Sequence, residues 1–131
     1  MKQEPPGAYR GLEQDLQKTV VGLLMFRLVS SGIPVGALMH PANGEKRSKA
    51  TAGKLKAMGV RAGYPDLMLF RRSPDDFFCG LAIELKVWPA VLRPSQEEIR
   101  AVLVSAGWCY AVCYGVDEVD STLERYLKRG M

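Results

Sequence analysis

The sequence predicts an α/β domain in which a mixed central β-sheet is flanked by helices. Three observations predict it. Residues 63–86 read as two apolar runs around the polar turn formers Ser73-Pro74-Asp75, the pattern of a β-hairpin. Residues 108–114, W-C-Y-A-V-C-Y, alternate aromatic or branched residues with small ones, as a strand does. A helical stretch lies between these two strands, which makes a right-handed βαβ crossover and therefore a parallel pair.

Each element has a local reason. Pro5-Pro6-Gly7 predicts a flexible segment over 1–10, followed by one domain over 11–131, as a chain of 131 residues allows. Residues 11–31 predict a long helix that stops at Ser30-Ser31-Gly32. Its apolar stripe runs through Leu12, Leu16, Val20, Leu23 and Leu24, widened by Met25, Phe26, Leu28 and Val29. A surface that broad predicts full burial or a second chain against it. Residues 33–40 read as a strand with early irregularities at Pro34 and Gly36, and His40-Pro41-Ala42-Asn43-Gly44 as a turn.

A basic helix is expected over 46–58, supported by Ala50, Leu55 and Met58 and stopped by Gly59. Gly63 gives the backbone room to turn, and Pro65 pushes Tyr64 towards an extended conformation ahead of Asp66. After the hairpin, Ser95 begins a helix with Glu98 as its capping-box partner, and Gly107 ends it. The final helix spans 118–128 through Val119, Leu123, Tyr126 and Leu127.

The hairpin carries the chemistry. With the turn centred near Pro74 and Asp75, Asp66 falls opposite Glu84 or its neighbour. Opposed residues share a face, with Cβ atoms about 5 Å apart. Alternation puts Ala82, Glu84 and Lys86 on one face and Leu81, Ile83, Leu85 and Val87 on the core face. Two carboxylates that close repel unless a cation lies between them. A hard divalent ion with oxygen ligands, Mg²⁺ or Mn²⁺, removes the conflict, and the carbonyl of Leu85 can face the same ion. Such an ion activates water and neutralises charge on a phosphate. Lys86 is placed to orient that water or to stabilise the transition state. Glu13 is a candidate to complete the metal shell, and Gln96 to orient the nucleophile or a phosphate oxygen. The bland alternative for Glu84-x-Lys86 is a solvated strand face.

Composition sets limits. Net charge is +4, and Lys46, Arg47, Lys49, Lys54, Lys56 and Arg61 crowd into a stretch free of acids after Glu45. That stretch leads straight into the acidic hairpin, so a phosphate-contacting patch is expected, with His40 and Asn43 at its border. The alternative is a solvated helix face. No apolar run is long enough to span a membrane, and the N-terminal residues lack a signal-peptide core, so no membrane partner and a cytoplasmic, intracellular location are expected. The three cysteines, Cys79, Cys109 and Cys113, do not make a zinc set; Cys109 and Cys113 read as small apolar residues on one strand face.

Gly63-Tyr64-Pro65-Asp66, the spacing to Glu84-Leu85-Lys86, and the following Ser95-Gln96 resemble the PD-(D/E)XK nuclease superfamily, and specifically its VRR-NUC branch. The likeness extends over most of 11–128, from Glu13 through His40 to Gly44 and the approach from Lys56 to Gly63. It continues to the closing β-α pair. It implies a restriction-endonuclease-like core. It also implies that Asp66 and Glu84 bind the metal, that Lys86 serves the attacking water, and that Glu13 and Gln96 match the family's helix-borne acid and its glutamine. Ile99 departs from the family, where an aromatic is common, which bears on local packing.

Stand-alone chains of this size resemble phage and bacterial enzymes, some of which act as dimers on branched DNA such as Holliday junctions. The expectation is therefore a metal-dependent, structure-selective DNA endonuclease. It would leave 5′-phosphate ends, act as a homodimer, and come from a bacterium or a phage in a bacterial host. A flap- or end-directed monomeric nuclease, or a non-catalytic DNA-binding module on the same fold, is the alternative.

Overall fold

The computed structural model describes residues 3–41 and 48–131. Its first element, α1 (Glu13–Ser30), buries Leu16, Val20, Leu24 and Leu28, a stripe one residue wide at four-residue spacing. The broad buried surface expected here is not formed. Leu12, Met25, Phe26 and Val29 are exposed, because only one side of the helix meets the rest of the fold.

The strand expected over 33–40 is mostly something else. Ile33 is buried, Val35–Ala37 forms a 3-10 turn, and only Leu38–Met39 is strand, β1. Pro34 has no N–H to give a sheet, and its carbonyl accepts from Ala37 N–H at 3.0 Å, which curls the chain. The basic helix, α2, spans Lys49–Ala57 behind Ser48, whose Oγ accepts from Thr51 N–H at 3.2 Å. It buries no residue. Leu55 is half-buried, whereas Ala50 and Met58 face solvent, so the apolar support expected of them is thin.

The hairpin is present. β2 (Leu67–Leu69) pairs antiparallel with β3 (Gly80–Leu85), Leu67 opposite Ile83 and Leu69 opposite Leu81. β1 pairs antiparallel with the far side of β2. β4 (Trp108–Cys113) runs parallel to β3, from Gly80 opposite Trp108 to Leu85 opposite Cys113. The result is one mixed sheet in the order β1-β2-β3-β4. The helix between the parallel strands is α3 (Pro94–Ser105), and α4 (Val116–Leu127) closes the chain.

Both faces of the sheet are covered. Leu81, Ile83 and Leu85 pack on the α1 stripe and on Val119, Leu123 and Tyr126 of α4. Cys113 joins this core and Cys109 packs against it, both as free thiols. Arg27 of α1 ties to Asp120 and Glu124 of α4, which holds the two helices together. The opposite face, to which the sequence assigns Ala82, Glu84 and Lys86, also has an apolar layer. There Met68 and Ala82 meet Ile99 and Leu103 of α3, with Tyr64, Trp108 and Tyr110 at the margin.

The start of α3 differs from the expected Ser95–Glu98 capping box. Pro94 is its first residue, which suits a residue without an N–H. Arg93 is therefore the cap, and Gln96, not Glu98, reaches back: its Oε1 accepts from Arg93 N–H at 2.9 Å. Gly63 lets the preceding chain pass this helix. It has φ +97°, and a Cβ there would be driven into the Ser95 carbonyl oxygen.

Gly63→Ala is accordingly expected to lower unfolding free energy by about 2–4 kcal/mol. Gly53→Ala, inside α2 with nothing within 4 Å of its added Cβ, is expected to be neutral or to stabilise by up to about 1 kcal/mol. Urea denaturation of the two variants reads both signs. A harmless Gly63→Ala would show that the close passage past α3 is not required.

Candidate metal and phosphate site

Asp66 immediately precedes β2. Because Leu67 pairs with Ile83, the same register sets Asp66 opposite Glu84. The Asp66 carboxylate is turned inward and accepts from Leu85 N–H at 2.8 Å through Oδ2. Pro65 is buried behind it. Glu84 lies within β3 and is 1% exposed. Lys86 follows the strand, extends its ladder by donating its N–H to the Cys113 carbonyl at 3.0 Å, and is 5% exposed. A solvated strand face is thereby excluded for Glu84-x-Lys86.

The surroundings of Glu84 are uneven. Its Oε2 accepts from Gln96 Nε2 at 3.1 Å and lies 3.8 Å from Lys86 Nζ. Its Oε1 is buried and has no hydrogen-bond partner among the described residues. Gln96 is itself buried, and both ends of its amide are engaged, one by Glu84 and one by Arg93 N–H. That fixes which end of the amide faces Glu84, since only the nitrogen can donate to a carboxylate.

Glu13, the exposed first residue of α1, completes the acidic group. One carboxylate oxygen from each of Glu13, Asp66 and Glu84 lies within 4.8 Å of the others. Crowding and burial resist ionisation. Burial, then the Asp66 charge, push the Glu84 carboxyl up to about 8, Lys86 opposing. Asp66 is raised by burial, against the pull of Leu85 N–H, its hydrogen bond with Glu84, and the charges of His40 and Lys86. Glu13 is raised by burial and by Asp66, against Lys86 and Arg93. Three oxygen donors converging on one point, with a buried lone pair left without a donor, fit a hard divalent cation such as Mg²⁺ or Mn²⁺.

The other candidate residues are distributed differently. His40 Nδ1 donates to the Asp66 carbonyl at 2.6 Å, and Gln17 Nε2 lies 3.0 Å from the same nitrogen. His40 thus braces the main chain of the site. Asn43, Lys46 and Arg47 lie outside the described residues. Lys49, Lys54, Lys56 and Arg61 are exposed. Among the described residues, no hydrogen bond or ion pair joins them to the acidic trio.

Two residues at the site were missed. Tyr110 carries a buried hydroxyl without a partner among the described residues, and burial and the charges of Glu84 and Asp66 push its phenol upward. Alternation along β4 would have found it, since Tyr110 pairs with Ala82 on the Glu84 face. Arg93 was missed with the true start of α3. Reading Pro94 as the first helical residue would have exposed it.

A family model described as VRR-NUC domain matches residues 26–117. A solved structure titled "VRR_NUC domain protein" is 34% identical, covers 93% of each chain and superposes with a TM-score of 0.72. No curated protein matches.

The raised carboxyl groups set a pH dependence. Without metal, native Glu84 keeps a proton that the unfolded chain has lost between its ordinary value and about 8. The native state then binds more protons, so metal-free stability falls as pH rises through this window, by on the order of a few kcal/mol. Metal needs the deprotonated site, so Mn²⁺ should raise Tm more at about pH 8 than at about pH 5.5. Thermal melts in chelator and in Mn²⁺ test this, and Glu84→Gln should flatten both trends. A variant that retains them would place the titrating group elsewhere.

Proposed function

Because this chain belongs to the VRR-NUC domain family, a family of nucleases, we propose that it is a divalent-metal-dependent endodeoxyribonuclease that hydrolyses phosphodiester bonds in branched DNA. The observation that carries this reading is the buried Glu84 carboxylate. One of its oxygens is held by Gln96 and faced by Lys86, and the other, among the described residues, lacks a hydrogen-bond partner beside Asp66 and Glu13.

Glu13, Asp66 and Glu84, with the Leu85 carbonyl, would hold Mg²⁺ or Mn²⁺. When bound, the ion supplies a water of lowered pKa and neutralises charge on the scissile phosphate. The protein's own residues do the rest. Lys86, pinned by its main-chain bond to Cys113, aims its ammonium at the same side as Glu84. There it orients the attacking water or stabilises the extra charge of the transition state. Gln96 acts by holding Glu84, since both ends of its amide are already used. The Leu85 N–H fixes the Asp66 carboxylate.

The exposed cations Lys49, Lys54, Lys56 and Arg61 support a DNA-facing side. His40, Asn43, Lys46 and Arg47 belong to the same proposal. Exposed Met25, Phe26 and Val29 on α1 support a homodimer, in which two sites would serve paired cuts across a junction.

The test is a cleavage panel of labelled four-way junction, flap and linear duplex with Mg²⁺, Mn²⁺ or chelator. Asp66→Ala, Glu84→Ala and Lys86→Ala should each cut at least about a hundredfold more slowly while still binding DNA. Binding without cleavage in every metal would leave a DNA-binding module instead. Cutting confined to flaps or ends would favour the end-directed alternative.

Light scattering should give twice the chain mass, and Phe26→Asp should give a folded monomer whose melting temperature no longer depends on protein concentration. A wild-type monomer would rule out paired cutting by a self-dimer.

A further inference from the structure

The acidic trio creates a difficulty for any DNA ligand. A phosphodiester approaching Glu13, Asp66 and Glu84 meets carboxylates first. Lys86 is a cation at the trio, but it is buried against Glu84 and engaged there. The proposed metal would offset these charges at the scissile phosphate, and a neighbouring backbone phosphate still gains from a cation beside the site.

Arg93 borders the site through its main chain. Its main chain is fixed: its N–H is held by Gln96 Oε1 at 2.9 Å, and the next donor of Gln96 reaches Glu84 at 3.1 Å. One amide side chain thus separates the Arg93 backbone from the most buried carboxylate. The loop leading to Arg93 is also anchored. Tyr114 Oη donates to the Ala90 carbonyl at 2.9 Å, and the Trp88 and Tyr114 rings meet edge to face at 5.3 Å.

The Arg93 side chain, in contrast, is exposed. Among the described residues its guanidinium has no ion pair and no hydrogen bond. Several arginines are committed, Arg27 to Asp120 and Glu124, Arg72 to Asp76, Arg100 to Glu97 and Arg129 to Asp75. Arg61, Arg71 and Arg125, by contrast, are exposed and, like Arg93, without an ion pair among the described residues. Of these four, Arg93 is the one whose main chain is bonded to a side chain that holds Glu84. A fixed base and an uncommitted head suit a residue that waits for an anion. The planar fork of arginine matches two phosphate oxygens at once.

The geometry points to Arg93 as a phosphate-binding residue that clamps a DNA backbone phosphate at the mouth of the acidic site. This rests on the nuclease reading for the identity of the ligand and adds a residue to it. The clamp binds and positions, and Lys86 remains the cation beside the reacting group.

The experiment measures binding of fluorescent four-way junction in Ca²⁺, which permits binding without turnover, from about 50 to about 200 mM salt. Wild type, Arg93→Ala, Arg93→Lys and Arg125→Ala are compared, Arg125 being an exposed arginine outside the site. Arg93→Ala should weaken binding about tenfold and reduce the slope of log K against log salt by about one contact. In cleavage, its KM should rise by a similar factor while kcat changes little. Arg93→Lys should keep the slope and lose part of the affinity, because a point charge replaces the fork. Arg125→Ala should match wild type.

Wild-type affinity, slope and KM in Arg93→Ala would overturn the clamp even if the protein cuts DNA. A protein that binds but never cuts would overturn the nuclease reading. The Arg93 slope would then still decide the phosphate contact.

Discussion

Glu84 is the constraint on which the site depends. Its side chain is 1% exposed and sits beside two other carboxylates. Removing a carboxylate from water costs several kcal/mol unless hydrogen bonds and opposite charge compensate. Here Gln96 and Lys86 compensate at one oxygen, Oε2. The other oxygen has no hydrogen-bond partner among the described residues. Protonation relieves part of the strain when metal is absent, which is why Glu84 is pushed up to about 8. A bound cation would relieve it better. It would meet the orphan oxygen and turn the mutual repulsion of three acids into shared coordination. A site built only for stability would not leave that oxygen bare.

The scaffold serves this arrangement at several removes. The β2–β3 register decides whether Asp66 faces Glu84, and a one-residue slip would turn it to the other side of the sheet. Gly63 sets the approach to Asp66 by letting the chain pass the Ser95 carbonyl. The parallel pairing of β3 with β4 continues to Lys86 N–H and Cys113, so the lysine keeps the geometry of a strand residue just beyond the strand. Helix α3 has two tasks. Ile99 and Leu103 cover the second face of the sheet, and its first turn delivers Gln96 to Glu84 and Arg93 to the rim. Helix α1 brings Glu13 at its start and spends the rest of its length in the core with α4. Among the described residues, no helix is long and apolar enough to cross a membrane.

Much of this was legible in the sequence, and the reasons for success and failure are physical. Strand alternation is strict, so the acidic face of the hairpin could be read directly, and Asp66 could be set opposite Glu84 or its neighbour; the register resolves this to Glu84. The parallel partner strand followed from the intervening helix. Helix burial was harder, because an apolar residue on a helix need not be covered: Phe26 and Val29 belong to the expected stripe yet face solvent. The strand over 33–40 failed where Pro34 took away a donor and favoured a 3-10 turn. The start of α3 was misplaced because Ser95 is a good cap by residue type, whereas Pro94 is a better first helical residue. That error hid Arg93 and gave the reach-back role to Glu98. The apolar layer under α3 was hidden because it mixes with the charged positions along the same strands. Tyr110 was passed over as one aromatic among several, although its register places it on the Glu84 face.

The central claim is that Glu13, Asp66 and Glu84 form a divalent-metal centre. Anomalous diffraction from crystals grown with Mn²⁺ tests it most directly. The account predicts an anomalous peak between the three carboxylates, bonded to Glu84 Oε1 at the distance of a metal–oxygen bond, and absent from Glu84→Gln crystals. A Mn²⁺ peak bound elsewhere, with these three side chains unligated in a protein that cuts DNA, would contradict it.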